Sequence, residues 1–271
     1  ELISKKGMPV VIFINKFDVS EMDFNKVWAE MESFFGKRML LANYPIIEGG
    51  TLKSVADLLG AKIDESPSYA QYVQASMDAV AELDDSLMEK YLEGTPISPE
   101  EMALYVKKGL KEGKVLPVLT GSVLRQVGIS ELVDFMLRFM PSSEELAPVK
   151  ALNGKGEEVE IERKVDQPLT GIVAKTVFDP FAGKMSYLRV VSGRLKTNSQ
   201  ILNITKGQKE RIGQILRIQG KKQEPVDEAL PGEVIGVAKL SESQALDLFC
   251  EPNASLSLSI SKMPEGAVSY S

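Results

Sequence analysis

One stretch near the start of the chain limits its fold more than any other. Residues 9–18 read Pro-Val-Val-Ile-Phe-Ile-Asn-Lys-Phe-Asp, so five consecutive apolar residues, Val10 to Ile14, end in Asn-Lys-x-Asp. A short apolar run bounded by polar turn residues predicts a strand that is buried on both faces, as in a parallel sheet. Ligands in open α/β sheets bind beyond the carboxyl ends of such strands. The run therefore predicts an α/β fold with a ligand site at the end of this strand.

The Asn-Lys-x-Asp tetrad carries the groups that a guanine pocket needs. The Asp18 carboxylate can accept two hydrogen bonds, from N1–H and from the exocyclic N2 amine of guanine. Adenine has neither donor and would leave the carboxylate unpaired, at a cost of roughly 1–3 kcal/mol or more. Asn15 can hold the loop and reach N7, while the Lys16 stem covers the base and its ammonium stays in water. The alternative is a helix-capping Asp after a buried strand, and these four residues alone leave both interpretations open.

Composition bounds the class of protein. At 271 residues the chain is long enough for about two domains. No apolar run is long enough to span a membrane, and the single cysteine, Cys250, fits a reducing compartment, which favours the cytoplasm. Residues 1–6 lack the apolar segment of a secretory signal. The sequence starts without Met, just before a strand, so we expect a fragment.

Charge is distributed unevenly along the chain. Between Pro168 and Glu224, eleven Lys and Arg residues stand against three Asp and Glu, whereas the net charge of the whole chain is −6. A basic patch within an acidic chain indicates a polyanionic partner, for which a phosphate backbone is the usual candidate. A solvated strand face is the alternative.

The first 140 residues predict alternating strands and helices. In order, the predicted elements after the first strand are a helix between an Asp23 cap and Gly36, short strands within 39–59, a helix over about 67–91, a helix from a Ser98 capping box to about 111, a strand over 115–119 and a helix over 129–140. Residues 120–123, Thr-Gly-Ser-Val, follow the second buried strand at its carboxyl end. This alternation is typical of an α/β fold. The helix over 67–91 is rich in carboxylates, but the chain contains no His, and we predict no metal site.

The rest of the chain predicts a β domain. Residues 141–164 read as a linker, with a short strand at most over 159–161. The strand-like segments that follow are 169–178, 185–191, 200–204, 210–218 and 233–240. Short strands that are separated by Gly, Asn and Pro turns predict an antiparallel barrel or sandwich.

Several motifs resemble the elongation factor G family. Asn15-Lys16-Phe17-Asp18 resembles the base-specificity motif of GTPases, and Gly121-Ser122-Val123 lies where these proteins have their Ser-Ala loop. The stretches that resemble elongation factor G more distinctively are 83–94, 128–141, 178–183, 188–193 and 205–211. They cover nearly the whole chain in the family's order, so by resemblance we identify it as a fragment of elongation factor G or of a close paralogue.

The resemblance implies a layout. Residues 1–140 would be the carboxyl-terminal part of a GTPase domain of the P-loop class, with an insert subdomain at about 37–112. A linker at 141–164 would lead to the β-barrel domain II at 165–268. The fold class expected is therefore α/β followed by an all-β barrel.

The resemblance also implies a function. The guanine of GTP or GDP would be bound by Asn15, Lys16, Asp18, Ser122 and Val123, and Mg²⁺ is expected only in the intact parent. The parent would be a cytoplasmic monomer that couples GTP hydrolysis to translocation on the ribosome, with no membrane partner. The basic residues expected to face ribosomal RNA are Arg194, Lys196, Lys206, Lys209, Arg211, Lys221 and Lys222. The alternatives are a ribosomal protection protein, another translational GTPase, or a ribosome-binding scaffold that does not hydrolyse GTP.

The sequence also departs from the family pattern. Val123 replaces the usual Ala, whose backbone N–H the family uses on guanine O6. Arg125-Gln126-Val127 replaces a basic, Asn-containing run, the insert is shorter between Lys62 and Tyr69, and residues 241–245 lack a Thr-Gly-Asp turn. No Gly-x-x-x-x-Gly-Lys-Ser/Thr loop occurs, and no catalytic residue is assigned. These departures favour an elongation factor G-like paralogue, and we expect this chain alone to be inactive.

Overall fold

The computed structural model describes residues 8–59, 69–153, 155–179, 183–254 and 256–258. The chain divides into two compact units, unit 1 (Glu1–Pro141) and unit 2 (Ser142–Ser271). Three predicted features lie outside the described residues: the shorter insert at 62–68, the middle of the 178–183 motif, and the end of the barrel domain at 259–268. Within the described ranges, no helix is long and apolar enough to cross a membrane.

Unit 1 is built on a three-stranded parallel sheet. Its strands, in spatial order, are β1 (Ile12–Ile14), β5 (Leu116–Thr120) and β2 (Met39–Leu41). Leu40 and Leu119 pack into one hydrophobic core, whereas Leu41 and Val118 pack into a second one. Because successive side chains of a strand point to opposite faces, both faces of the sheet are covered. The predicted parallel strand is confirmed, but its hydrogen-bonded part starts at Ile12 and its residues are half-buried rather than buried.

The remaining elements of unit 1 surround this sheet. They are α1 (Phe24–Phe35), the hairpin β3 (Asn43–Glu48) and β4 (Thr51–Asp57), and the helices α2 (Ala70–Ala81), α3 (Asp85–Leu92), α4 (Pro99–Lys111) and α5 (Ile129–Phe139). The Asp23 carboxylate accepts from the backbone N–H groups of Asn25 and Lys26, so α1 begins at the predicted cap. The predicted capping box at Ser98 is also present. The predicted insert range starts at 37, but Met39–Leu41 pair with β5 in the sheet.

The single helix predicted over 67–91 is wrong. The helix is interrupted between α2 and α3. There the Asp84 carboxylate accepts from the Ser86 backbone N–H (3.2 Å) and from the Ser86 hydroxyl (2.7 Å). Val80, Leu83 and Leu87 nevertheless pack into the same core across the break. The apolar period therefore continues through two helices, and only the capping role of Asp84 marks the boundary.

An aromatic cluster fixes the segment that follows β1. The Phe24 ring lies 6.1 Å from that of Phe17, 5.8 Å from Trp28, 4.9 Å from Tyr44 and 5.1 Å from Tyr72. Phe17 is buried between the exposed Lys16 and the half-buried Asp18. The buried Phe17 thus holds the tetrad in place, and the half-buried Trp28 packs in the same cluster.

Unit 2 contains an eight-stranded antiparallel sheet. In spatial order its strands are β12 (Gln208–Arg211), β11 (Gln200–Asn203), β17 (Leu248–Cys250), β8 (Thr170–Asp179), β9 (Gly183–Ser192), β16 (Val234–Ala238), β13 (Ile215–Gln219) and β14 (Lys222–Val226). A separate pair joins β10 (Leu195–Lys196) to β15 (Glu228–Ala229). Leu195, Ile201 and Ile215 share one core although they come from distant strands, so the sheet curls around that core. The predicted fold class, α/β followed by an all-β barrel domain, is confirmed.

Unit 2 differs from the sequence prediction in several places, and β10, β14, β15 and β17 have no counterpart among the predicted strands. The stretch 141–164, predicted as a linker, contains β6 (Val149–Leu152) and β7 (Glu158–Ile161), which pair with each other and with β18 (Ser257–Leu258). Each of the first two strands buries only one side chain among charged neighbours, so composition conceals them. The single strand predicted over 210–218 is also wrong, because Ile212 to Gln214 separate β12 from β13.

Candidate guanine-binding site and basic surface

The parallel pairing of β1 and β5 brings two loops together. Ile14 lies opposite Thr120, so both strands end at the same edge of the sheet. Beyond that point the Gly121 N–H donates to the Ile14 carbonyl (3.0 Å), and the Phe17 N–H donates to the Gly121 carbonyl (3.1 Å). The tetrad thereby lies against residues 121–127, which we call the base loop.

The five predicted guanine-site residues form two hydrogen-bonded sets, Asp18 with Ser122 and Asn15 with the backbones of Lys16 and Val123. The Ser122 hydroxyl donates to Asp18 Oδ1 across 104 positions of sequence. Asn15 Oδ1 accepts from the backbone N–H groups of Lys16 (2.8 Å) and Val123 (3.0 Å). Ser122 is fully buried, and its oxygen also accepts from the Arg125 N–H (3.1 Å). The structure therefore fixes the orientation of the Asp18 carboxylate from the base loop.

These two sets leave hydrogen-bonding capacity towards a ligand. Within the described residues, Asp18 Oδ2 and Asn15 Nδ2 have no hydrogen-bond partner, so one can accept and the other can donate. Lys16, the fifth predicted residue, has an exposed side chain and makes no side-chain hydrogen bond to the other four. Its backbone is in the left-handed region, with φ of 72°. Such strain in a non-glycine residue persists only where the surroundings fix it, here through Phe17 and Asn15.

Val123 differs from the role that the family resemblance implies. Its backbone N–H, expected on guanine O6, donates to Asn15 Oδ1 instead. Its side chain is 48% exposed, so the added β-branch points into no packed region. A guanine O6 at this position would have to share the Val123 N–H with Asn15 Oδ1 or replace that oxygen as its acceptor.

The base loop has little room for a larger residue at its start. Ser122 and Val127 exchange two backbone hydrogen bonds, of 2.9 and 3.1 Å. A Cβ atom at Gly121 would lie 2.4 Å from the Val127 carbonyl oxygen and 2.8 Å from the Phe13 ring. Packing of the base loop thus requires glycine at position 121.

Asn43 is a residue of this region that sequence reasoning missed. It is 1% exposed, and its side chain makes three hydrogen bonds to Thr120, the residue before the base loop. A lone polar residue in a short apolar strand gives no signal of such a role. Its position in the insert hairpin becomes meaningful only once β2 and β5 are seen to be neighbours.

The structure divides the seven predicted RNA-facing residues of unit 2 into two sets. Three form ion pairs within the unit: Arg194 with Glu228 (2.8 Å), Lys206 with Asp247 (3.7 Å) and Lys222 with Glu224 (2.5 Å). The exposed remainder, without an ion pair among the described residues, consists of Lys196, Lys209, Arg211 and Lys221.

Backbone contacts bring two of these four unpaired cations close together. The Ser199 N–H donates to the Lys196 carbonyl (3.3 Å), and the Ile212 N–H donates to the Ser199 carbonyl (2.9 Å). Lys196 therefore lies near Arg211, and the exposed Lys209 lies two residues before Arg211 on β12. Lys221, in contrast, occupies the turn between β13 and β14. The predicted patch thus reduces to a β10–β12 basic surface made of Lys196, Lys209 and Arg211.

A buried polar network replaces the family's Thr-Gly-Asp turn. Glu210 accepts from the Glu242 and Ser243 N–H groups (3.0 and 3.4 Å) and from the Ser243 hydroxyl. Asn203 donates to Asp247 Oδ2 (2.9 Å), which also accepts from the Gln244 N–H (2.8 Å). Asn203 on β11 and Glu210 on β12 thereby hold the loop over 241–247.

The described residues contain no group of three or more His, Cys, Asp or Glu that could hold a metal ion.

Comparisons with known proteins agree with this architecture. The chain consists of a mixed α/β unit, whose sheet presents two loops at one edge, followed by an antiparallel β-barrel domain. Residues 168–251 match the family model of elongation factor G domain 2. This match to the barrel domain confirms the resemblance predicted from the motifs. The family is one of translation elongation factors that associate with the ribosome.

A solved structure from Thermus thermophilus has the same fold. It superimposes with a TM-score of 0.74 at 24% sequence identity and covers 97% of this chain. The chain spans 37% of the length of that protein.

Proposed function

We propose that unit 1 recognises the guanine base of GTP or GDP. The observation that carries this proposal is the bond from the Ser122 hydroxyl to Asp18, together with the bond from the Val123 N–H to Asn15. These contacts orient an acceptor and a donor at the carboxyl end of a parallel sheet, where α/β proteins bind ligands. A capping role for Asp18 is less favourable, because Asp23 is the residue that caps the following helix.

The proposed discrimination is between guanine and adenine. The Asp18 carboxylate would accept from N1–H and N2–H of guanine, whereas adenine would leave Oδ2 unpaired and Oδ1 with only the bond from the Ser122 hydroxyl. An unpaired charged group costs roughly 2–3 kcal/mol, which corresponds to about 30- to 150-fold in affinity. Asn15 Nδ2 would donate to N7, and the Lys16 stem would cover the base.

Binding of guanosine and adenosine monophosphates (GMP and AMP) to the ¹⁵N-labelled chain tests the proposal. We expect GMP to shift the amide resonances of residues 15–18 and 121–127 and AMP to leave them unchanged. Equal shifts with AMP, or GMP shifts confined to other regions, would contradict the guanine assignment.

Phosphate and Mg²⁺ binding is proposed for the intact parent rather than for this sequence. Most nucleotide affinity in GTPases comes from a phosphate loop and its Mg²⁺, and no such motif occurs here. We therefore expect purified 1–271 to release no phosphate from GTP above the buffer background and to bind GDP more weakly than micromolar. A phosphate-release assay and calorimetry check both points. Sub-micromolar GDP binding would contradict the assignment of affinity to the missing loop.

For the parent, we propose a ribosome-dependent GTPase that couples hydrolysis to translocation. The match of the barrel domain to elongation factor G domain 2 supports this role. The alternatives, a ribosomal protection protein or a scaffold that does not hydrolyse GTP, share the same base site and barrel. A translocation assay on the parent separates them.

We also propose that the β10–β12 basic surface contacts ribosomal RNA. Arg194 and Lys196 line a cavity of about 420 Å³ beside Ser199 and Gln200, although Asp166 and Glu251 also line it. Lys209 and Arg211 extend the cationic surface along β12. Phosphate contacts release counterions, so RNA binding through this surface would weaken steeply between about 50 and 200 mM salt.

Charge reversal tests the RNA contact. We expect the triple variant Lys196→Glu, Lys209→Glu and Arg211→Glu to bind ribosomes less tightly and to lower the salt slope by up to about three. Stability should change little, because exposed charges contribute about 0–1 kcal/mol per pair. The matched control reverses Lys155, Lys175 and Lys239, exposed lysines of the same unit that lie outside this surface and likewise form no ion pair among the described residues. In ribosome pelleting over a salt series, an unchanged slope in the folded triple variant would reject the proposal.

A further inference from the structure

Thr120 is the last residue of β5. At Thr120, a neighbouring strand runs along one edge of β5 but not along the other. On the first side, β1 runs alongside up to the Ile14–Thr120 pair. On the other side, β2 ends at Leu41, opposite Val118, and the Ala42 N–H makes the last ladder bond, to the Val118 carbonyl (2.9 Å). The chain then turns away into the hairpin of β3 and β4. The peptide groups of Thr120 on this side would be buried without a strand partner.

The Asn43 side chain takes the place of the missing strand. Its Nδ2 donates to the Thr120 carbonyl (3.2 Å), and its Oδ1 accepts from the Thr120 N–H (2.6 Å). A side-chain amide carries one donor and one acceptor, like a peptide group, so it reproduces the pair of bonds that a neighbouring strand would make. The Thr120 hydroxyl donates to the same Oδ1 (2.9 Å). Both residues are fully buried, so each of these bonds is made away from solvent.

The position of this contact gives it a consequence for the base loop. Thr120 directly precedes Gly121 and Ser122, and the Ser122 hydroxyl orients Asp18. We infer that Asn43 is a positioning residue for guanine recognition, which holds the base loop in register through the Thr120 peptide and links it to the insert hairpin. This inference rests on the proposed guanine site.

Three variants separate positioning from a general loss of stability. Asn43→Ala removes both backbone bonds to Thr120, whereas Thr120→Val removes only the hydroxyl and keeps them. Val106→Ala is the matched control, because it truncates a fully buried side chain of α4 in the core of the same unit. Thermal unfolding of each variant reports the general loss of stability.

Two measurements are made on the 271-residue chain. The first is hydrogen exchange of the Ser122 and Val127 amides, which bond to each other across the base loop. We expect Asn43→Ala to accelerate this exchange about tenfold or more, because loop amides exchange through local opening. The second is GMP affinity from amide shifts, which should fall at least about fivefold, the equivalent of one hydrogen bond. Thr120→Val and Val106→Ala should remain close to wild type in both.

The outcomes are distinguishable. Wild-type exchange and GMP affinity in Asn43→Ala would overturn the inference, and so would equal effects in Val106→Ala. An effect of Thr120→Val as large as that of Asn43→Ala would assign the role to the hydroxyl and also contradict it. If GMP shifts no resonance even in the wild type, the proposed guanine site fails, and amide exchange alone then decides whether Asn43 positions the loop.

Discussion

Asp18→Asn is expected to turn the base preference of the site from guanine towards xanthine. Xanthine carries a carbonyl where guanine has its 2-amino group. The Asn amide can donate to that carbonyl while its own oxygen accepts from N1–H and from the Ser122 hydroxyl. The wild-type carboxylate would instead face a lone pair with no proton to offer. We expect a loss of guanine affinity of about 10- to 150-fold, since one charge-assisted hydrogen bond contributes about 1.5–3 kcal/mol.

The measurement compares the affinities of wild type and variant for guanosine and xanthosine nucleotides. Diphosphates are used with the intact parent, and monophosphates are used with this chain. Asp23→Asn is the matched control, because it makes the same chemical change five residues away. Asp23 caps α1 through its side-chain oxygen, and Asn caps helices equally well. Unchanged guanine affinity in Asp18→Asn, with no gain for xanthine, would show that Asp18 does not read the base.

Glu210→Ala is expected to destabilise unit 2 by about 3 kcal/mol or more. The substitution leaves the Glu242 and Ser243 N–H groups and the Ser243 hydroxyl without their acceptor, and Ser243 is fully buried although Glu242 is exposed. Each buried donor without a partner costs about 1–3 kcal/mol. The loop over 241–247 then loses its attachment to β12, although Asn203 and Asp247 still hold its other end.

Urea unfolding measures this effect with two probes. The chain has a single tryptophan, Trp28, so its fluorescence reports unit 1, whereas far-ultraviolet circular dichroism also reports the strands of unit 2. The control is Glu224→Ala, which removes an exposed carboxylate that pairs with Lys222 and should cost at most about 1 kcal/mol. Equal midpoints for the two variants would show that the Glu210 network does not stabilise the barrel.

The sequence predicts several strands and helix starts well, because the residues that determine them are close together in the chain. An uninterrupted apolar run gives β1, and the caps at Asp23 and Ser98 set the starts of two helices. The signals that fail are those that depend on distant neighbours. The break before α3 is invisible to periodicity, since Leu83 and Leu87 serve the same core on both sides of it.

The candidate site shows the same limit. The polar residues at the ends of β1 and β5 are predictable, because parallel strands in one sheet end at the same edge. Asn43 is not predictable, since its role exists only where β2 stops short of Thr120. The division of the basic residues into paired and unpaired ones is likewise set by cross-strand acids such as Glu228, 34 positions from Arg194.

The bond between Ser122 and Asp18 also has a kinetic consequence. It closes a chain segment of 104 positions, and the entropy lost on closing an unstructured loop grows with its length. Once the hairpin and helices between β1 and β5 fold, less unstructured chain separates the two loops. The two loops should therefore meet only after the insert has folded. Guanine recognition would then be the last property that unit 1 acquires during folding. A protease cut or a destabilising change within the insert would remove it first, even where the cut leaves both loops intact.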